Sequence, residues 1–87
     1  VVQDILYVES DRNYVTVYTK TQKLSYIDSL KNWNEKLTGN QFIQVHKSFI
    51  INSLCVAKIA GSHVFINANK IPIGRTYRQN LLEHLGV

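Results

Sequence analysis

The sequence has no methionine, a single cysteine and a single proline, and none of its apolar runs approaches the roughly 20 residues of a membrane span. With Cys55 alone, no internal disulfide is possible and a zinc site built from several cysteines is excluded. Its neighbours Leu54, Val56 and Ala57 are apolar, which predicts a buried structural thiol. Absence of disulfides fits a reducing compartment, so a cytoplasmic location is expected, with no membrane partner. Residues 1–10 lack the basic start and long apolar centre of a signal peptide. A chain that opens on Val1 and lacks methionine reads as a fragment. His46, His63 and His84 have no metal-ligand spacing and no cluster of carboxylates around them. Walker, dinucleotide-binding and paired-carboxylate signatures are also missing, so no metal, cofactor or catalysis is expected. Acids are scarce in the second half. From Leu37 onward the bases are Lys47, Lys58, Lys70, Arg75 and Arg78, against Glu83 as the only acid. The net charge of +4 is therefore concentrated there; nucleic acid is its natural partner, though charge alone fits a basic domain with no polyanion partner as well.

What is present is one small folded domain. The 87 residues are 45% hydrophobic, enough for a single modest core. Residues 14–19, Tyr-Val-Thr-Val-Tyr-Thr, alternate with period two, placing Val15 and Val17 on one face and Tyr14, Thr16 and Tyr18 on the other. Residues 5–8 and 24–27 read as further strands, with residues 9–13 as a hairpin loop. Asp28-Ser29 offers a helix N-cap, and Leu30, Trp33 and Leu37 share one helical face, which makes Trp33 a core anchor. Thr38-Gly39-Asn40 stops that helix. Strands follow at 42–45, 49–51, 55–60, 63–66 and 70–73, and a final helix runs from about Thr76 to Leu85. Pro72 has no N–H to give a ladder, so its strand belongs at an edge. His63 reads as a surface residue across a strand pair, and His84 suits the C-terminal dipole of the last helix. The fold class is thus mainly β, with small antiparallel sheets of short strands, one central helix and one C-terminal helix. No adjacent helix pair forms a helix-turn-helix, so any DNA contact must come from loops.

Residues 41–52 organise the chain. Two apolar runs flank the polar trio His46-Lys47-Ser48, so Val45, Phe49 and Ile51 are expected in the core with Trp33 nearby. A rigidly held bend carrying a His, a cation and a hydroxyl suits recognition of an anion. It equally suits a His and a Ser that satisfy backbone groups at a turn. Arg75 and Arg78 sit at the start of the last helix, where a cation opposes the helix dipole. An anionic ligand would reverse that penalty.

Three stretches resemble the signatures of LytTR domains. They are Ile-Leu-Tyr-Val-Glu-Ser-Asp-Arg-Asn-Tyr-Val at 5–15, Phe-Ile-Gln-Val-His-Lys-Ser-Phe-Ile-Ile-Asn at 42–52 and Ile-Pro-Ile-Gly-Arg-Thr-Tyr at 71–77. The order and spacing match over nearly the whole chain. The resemblance implies a DNA-binding output module of a bacterial response regulator, built of small antiparallel sheets, with loop side chains contacting successive DNA grooves and often bending the duplex. It also implies a receiver domain in the full-length protein. By position it assigns DNA contacts to Asn13, Tyr14, Lys47 after His46, and Arg75. The chain departs from the pattern at Lys47, where Arg or Asn is frequent, and at Gly74, where Ser is common. It also begins where a preceding strand would just have ended.

The expectation is sequence-specific binding of double-stranded DNA, by a dimer on direct-repeat or paired sites. Asn13, Tyr14, His46, Lys47, Ser48, Lys70, Arg75 and Arg78 are the candidate contacts. Lys47 and Lys70 would neutralise phosphate, and Arg75 would read a base edge or clamp phosphate. A small β protein-interaction module without DNA binding is the alternative. A hydrolase using His46 and Ser48 is a third class, disfavoured because no acid is available to orient the histidine.

Overall fold

A computed structural model of the chain describes residues 4–37 and 41–86. Its strands are β1 (Ile5–Asp11), β2 (Tyr14–Thr19), β3 (Lys23–Ile27), β4 (Phe42–His46), β5 (Phe49–Asn52), β6 (Val56–Ala60), β7 (His63–Ile66) and β8 (Asn69–Pro72). The helices are α1 (Leu30–Lys36), between β3 and β4, and α2 (Arg78–Leu85), at the C-terminal end. All pairings are antiparallel. A five-stranded sheet runs β3-β2-β1-β5-β4 and a three-stranded sheet runs β6-β7-β8. The mainly β architecture with two helices is the one expected. Pro72 does lie on an edge strand, and the predicted helix stop at Thr38-Gly39-Asn40 lies outside the described residues.

The alternation in β2 decides which side of the large sheet is dry. Val15 and Val17 are buried while Tyr14 is exposed, as period two requires. Together with Ile5, Val8, Ile50, Leu30 and Leu37 they form one apolar layer, covered by α1. Ser29 caps α1, its Oγ accepting from the Asn32 N–H at 3.1 Å. On the other side, Leu6, Tyr7, Val45 and Ile51 pack against Val64, Ile66 and Ile71 of the small sheet and Leu81 of α2. The large sheet therefore separates two cores.

This division corrects one expectation. Val45 and Ile51 are fully buried, but Phe49 is only half-buried. Trp33 anchors in the α1 layer beside Phe42 and so does not pack with Val45 and Ile51. Adjacent strand residues point to opposite faces, so Ile50 and Ile51 serve different cores.

Other boundaries shift. Strand β1 runs on to Asp11, so the hairpin loop narrows to Arg12-Asn13, with Arg12 left-handed at φ 58°. The last helix is preceded by a 3-10 turn at Arg75–Tyr77 and starts at Arg78. Cys55 is half-buried at the end of a second 3-10 turn, packed against the small-sheet core. His63 is half-buried, opposite Ala60 and Pro72, as a cross-strand residue. His84, in the last turn of α2, pairs its Nε2 with Ser53 Oγ at 3.1 Å. No helix among the described residues is long and apolar enough to cross a membrane.

Buried Asn52 closes β5. Its side-chain N–H₂ donates to the Ile5 carbonyl at 2.9 Å, and its side-chain oxygen accepts from the Leu54 N–H at 3.0 Å. Both ends of this amide are satisfied, so its burial locks the start of β1 to the end of β5.

Candidate nucleic-acid interface

Turns remote in sequence meet at one end of the molecule. The Ser10 N–H donates to the Ser48 carbonyl at 2.9 Å, so the β1–β2 hairpin lies against the β4–β5 turn. The Gly74 N–H donates to the Val45 carbonyl at 2.7 Å, which brings the segment after β8 to the other side of that same turn. Arg12-Asn13, His46–Ser48 and Gly74-Arg75 thus form a row. Main-chain bonds hold it, and the side chains are left to point where contacts require.

Each turn has its own fastening. At the hairpin tip the Asn13 carbonyl accepts from the Asp28 N–H at 3.2 Å, tying the tip to the end of β3. In the β4–β5 turn His46 Nδ1 accepts from the Ser48 N–H at 3.1 Å. In the neutral ring that leaves Nε2 as the donor. The ring also meets Phe49 edge-on at 5.6 Å between centroids. His46 therefore does satisfy a backbone group, and the same bond fixes the orientation of its ring. Gly74 sits close to both neighbours. A Cβ there would lie 2.9 Å from Tyr77 Cδ2 and 3.5 Å from His46 Cα. A serine at this position would have to turn the Tyr77 ring aside.

The electrostatics of the row are cationic. Lys47 and Arg75 are exposed, and so is Arg12. The only ion pair within 4 Å among the described residues is Lys36 with Asp28, at 3.3 Å on α1. Glu9, two residues further back on β1 than Asp11, accepts from the Tyr18 hydroxyl at 3.3 Å. Burial, reinforced by the neighbouring Glu9, raises the Tyr18 pKa and so keeps that hydroxyl a donor. Tyr7, stacked on Tyr18 at 4.3 Å, is pushed up to about 12, first by burial and then by the charges of Tyr18 and Glu9. Asp11 is the one carboxylate exposed at the hairpin tip.

The candidate contacts sort clearly. Asn13, Tyr14, His46, Lys47, Ser48 and Arg75 come together in or beside the row, with Tyr14 54% exposed where β2 leaves the tip. Arg78 is exposed but engaged, its Nη1 donating to the Gly61 carbonyl at 2.6 Å. Lys70 lies apart. It is opposite Phe65 on the small sheet, and Lys58 sits over the other side of that ladder with its Nζ 4.9 Å from the Phe65 ring. Five residue steps of extended chain lead from Lys70 to Arg75, roughly 16 Å. Arg12, in sequence no more than one residue of the 9–13 loop, joins the candidates in the row. Its signal was a base at the tip of a loop whose neighbour was already a candidate.

Comparison with known proteins agrees with this architecture. Residues 1–86 match the family model of the LytTr DNA-binding domain. The chain is 29% identical to the sensory transduction protein LytT of Bacillus subtilis, over 98% of this chain and 38% of LytT. It is 31% identical to the sensory transduction protein LytR of Streptococcus agalactiae, over 95% of this chain and 36% of that protein. Among solved structures, the LytTr DNA-binding domain of a Bacillus cereus response regulator superposes with a TM-score of 0.86. It covers 99% of this chain and 84% of that one, at 22% identity, and so shares the fold.

Proposed function

The chain belongs to the LytTr DNA-binding domain family, and on that premise we propose that it binds double-stranded DNA sequence-specifically through the row of turns, as the output domain of a two-component response regulator. One observation carries this reading. Turns distant in sequence are hydrogen-bonded side by side, and they expose Lys47, Arg75 and Arg12, none of them ion-paired among the described residues, against Asp11 as the one exposed carboxylate at the hairpin tip. A protein gains little stability from gathering unpaired cations, whereas a polyanion rewards it by counterion release.

Within the row, Lys47 neutralises phosphate as a point charge. Arg75, with a planar fork, reads a guanine edge or clamps phosphate. Asn13, Tyr14, His46 and Ser48 supply polar contacts around them. Arg78 reaches phosphate from its seat on Gly61. Binding of this kind needs no catalysis, metal or cofactor. The chain spans about 38% of the length of LytT. In the full-length protein we place it beside a receiver domain, with two copies occupying direct-repeat or paired sites.

The test is selection of duplexes from a random pool, followed by titration of the preferred and a scrambled duplex over a range of salt. Preferential binding that weakens steeply with salt is expected. Absence of duplex affinity even at low salt would leave the protein-interaction module standing in its place.

A further inference from the structure

The row does not stop at Arg75. The Ile73 N–H donates to the Ser62 carbonyl at 2.8 Å, which sets the β6–β7 turn, Gly61-Ser62, directly beyond the Gly74-Arg75 segment. Gly61 takes the left-handed conformation the turn requires, φ 61°, and no atom would crowd a Cβ there. Its carbonyl holds the Arg78 guanidinium at 2.6 Å. A guanidinium has five N–H donors, so one bond to a carbonyl anchors the cation and leaves most of its donors unused. Ser62 is exposed beside it, with its Oγ 3.4 Å from His63 Nδ1. A hydroxyl and an anchored cation thus share one turn, and neither was placed there by a need of the core.

The dimensions say what such a turn would meet. From β1 across β5 and β4 to Gly74 and then to Ser62 is four steps between hydrogen-bonded neighbours, roughly 20 Å at about 4.8 Å each. The major groove is about 12 Å wide. A row that long overruns one groove. With Lys47 and Arg75 in its middle, its far end falls on the sugar–phosphate backbone.

We propose that the Gly61-Ser62 turn, with Arg78 docked on it, is a phosphate clamp that grips the duplex backbone on the flank beyond Arg75. This inference rests on the DNA-binding reading above and adds Ser62 as a contact beside Arg78. It also makes the β6–β7 hairpin part of the recognition surface, with the small sheet as its support.

The test uses the 87-residue chain and a duplex enriched from a random pool. A lysine at Ser62 adds a phosphate contact, so Ser62→Lys should tighten binding and steepen the salt slope by about 0.9. Ala68→Lys, in the turn at the opposite end of β7, adds the same charge away from the row and should leave the slope unchanged. Ser62→Asp should weaken binding to all duplexes. Replacing the flanking phosphates with neutral methylphosphonates should erase the differences between Ser62→Lys, Ser62→Asp and wild type. Equal slopes for Ser62→Lys and Ala68→Lys, in a wild type that binds duplex normally, would overturn the clamp and leave the DNA-binding reading intact. A wild type without duplex affinity would overturn both.

Discussion

The two ends of the five-stranded sheet carry turns of similar composition and opposite character. At the end away from the row, Thr19 Oγ1 donates to the Gln22 carbonyl at 2.9 Å and accepts from the Gln22 N–H at 3.0 Å. The Thr19 N–H closes the same turn onto the Gln22 carbonyl at 2.8 Å. Thr19 and Gln22 thus close the turn locally, and the Lys20 N–H reaches out, to the Asp4 carbonyl at 3.2 Å. At the row end, the bonds join residues far apart in sequence, Ser10 with Ser48 and Gly74 with Val45, and the charged side chains are left over. Polarity alone does not distinguish a site from a turn. The useful question is whether a turn is joined to turns remote in sequence and still leaves charged side chains over once it is closed. The β4–β5 turn leaves Lys47, although His46 Nδ1 accepts from the Ser48 N–H.

Mutations can break or sharpen this contrast. The largest effect should come from the core that both ends share. Ile51 is fully buried, so Ile51→Ala should cost about 2–5 kcal/mol in denaturant unfolding and weaken DNA binding with it. A loss below about 1 kcal/mol, well short of that range, would mean that the sheet does not couple the two ends.

Arg75→Ala comes next, and it separates the ends. Affinity for the preferred duplex should fall by about 1–3 kcal/mol while the melting temperature holds. Arg75→Lys should restore charge with little discrimination. A variant that melts early and binds normally would show that Arg75 supports the fold.

Thr19→Val is the mirror image. Losing the hydroxyl should cost about 1 kcal/mol of stability and leave duplex affinity where it was. Affinity that falls more than stability would remove the distinction between the two ends.

The smallest effects compare two lysines. Lys47→Ala should reduce the salt slope by about 1 and weaken all duplexes alike. Lys70→Ala should leave the slope unchanged, because the small sheet carries Lys70 away from the row. Equal slopes for both variants would return Lys70 to the interface that the sequence assigned it.

Much of the fold was legible because period-two alternation and cap residues act locally. Val15 and Val17, the Asp28-Ser29 cap and Pro72 at an edge all carry their structural meaning in their immediate neighbours. The hairpin tip was read too wide because Glu9, Ser10 and Asp11 are polar, yet ladder pairing continues through Asp11 opposite Tyr14 without regard to side chains. Periodicity also cannot say which layer covers a face, so Trp33 was placed with Val45 and Ile51 and belongs with Ile50. The candidate residues of the row were visible one stretch at a time. Their assembly was not, since the bonds between Ser10 and Ser48 or Gly74 and Val45 use main-chain atoms that every residue has. For the same reason Ser62 left no sign.

That main-chain bonding has a consequence for how recognition changes over time. The bonds that join the turns do not involve the side chains of Lys47 or Arg75, so either can be exchanged while the turns keep their spacing. Gly74 and His46 are the exceptions, the first because Tyr77 and His46 close around it and the second because its ring accepts from the Ser48 N–H. If Lys47 and Arg75 contact DNA as proposed, single substitutions there should change operator preference with the fold held nearly constant. The scaffold behaves as a fixed composing stick in which individual letters are replaced.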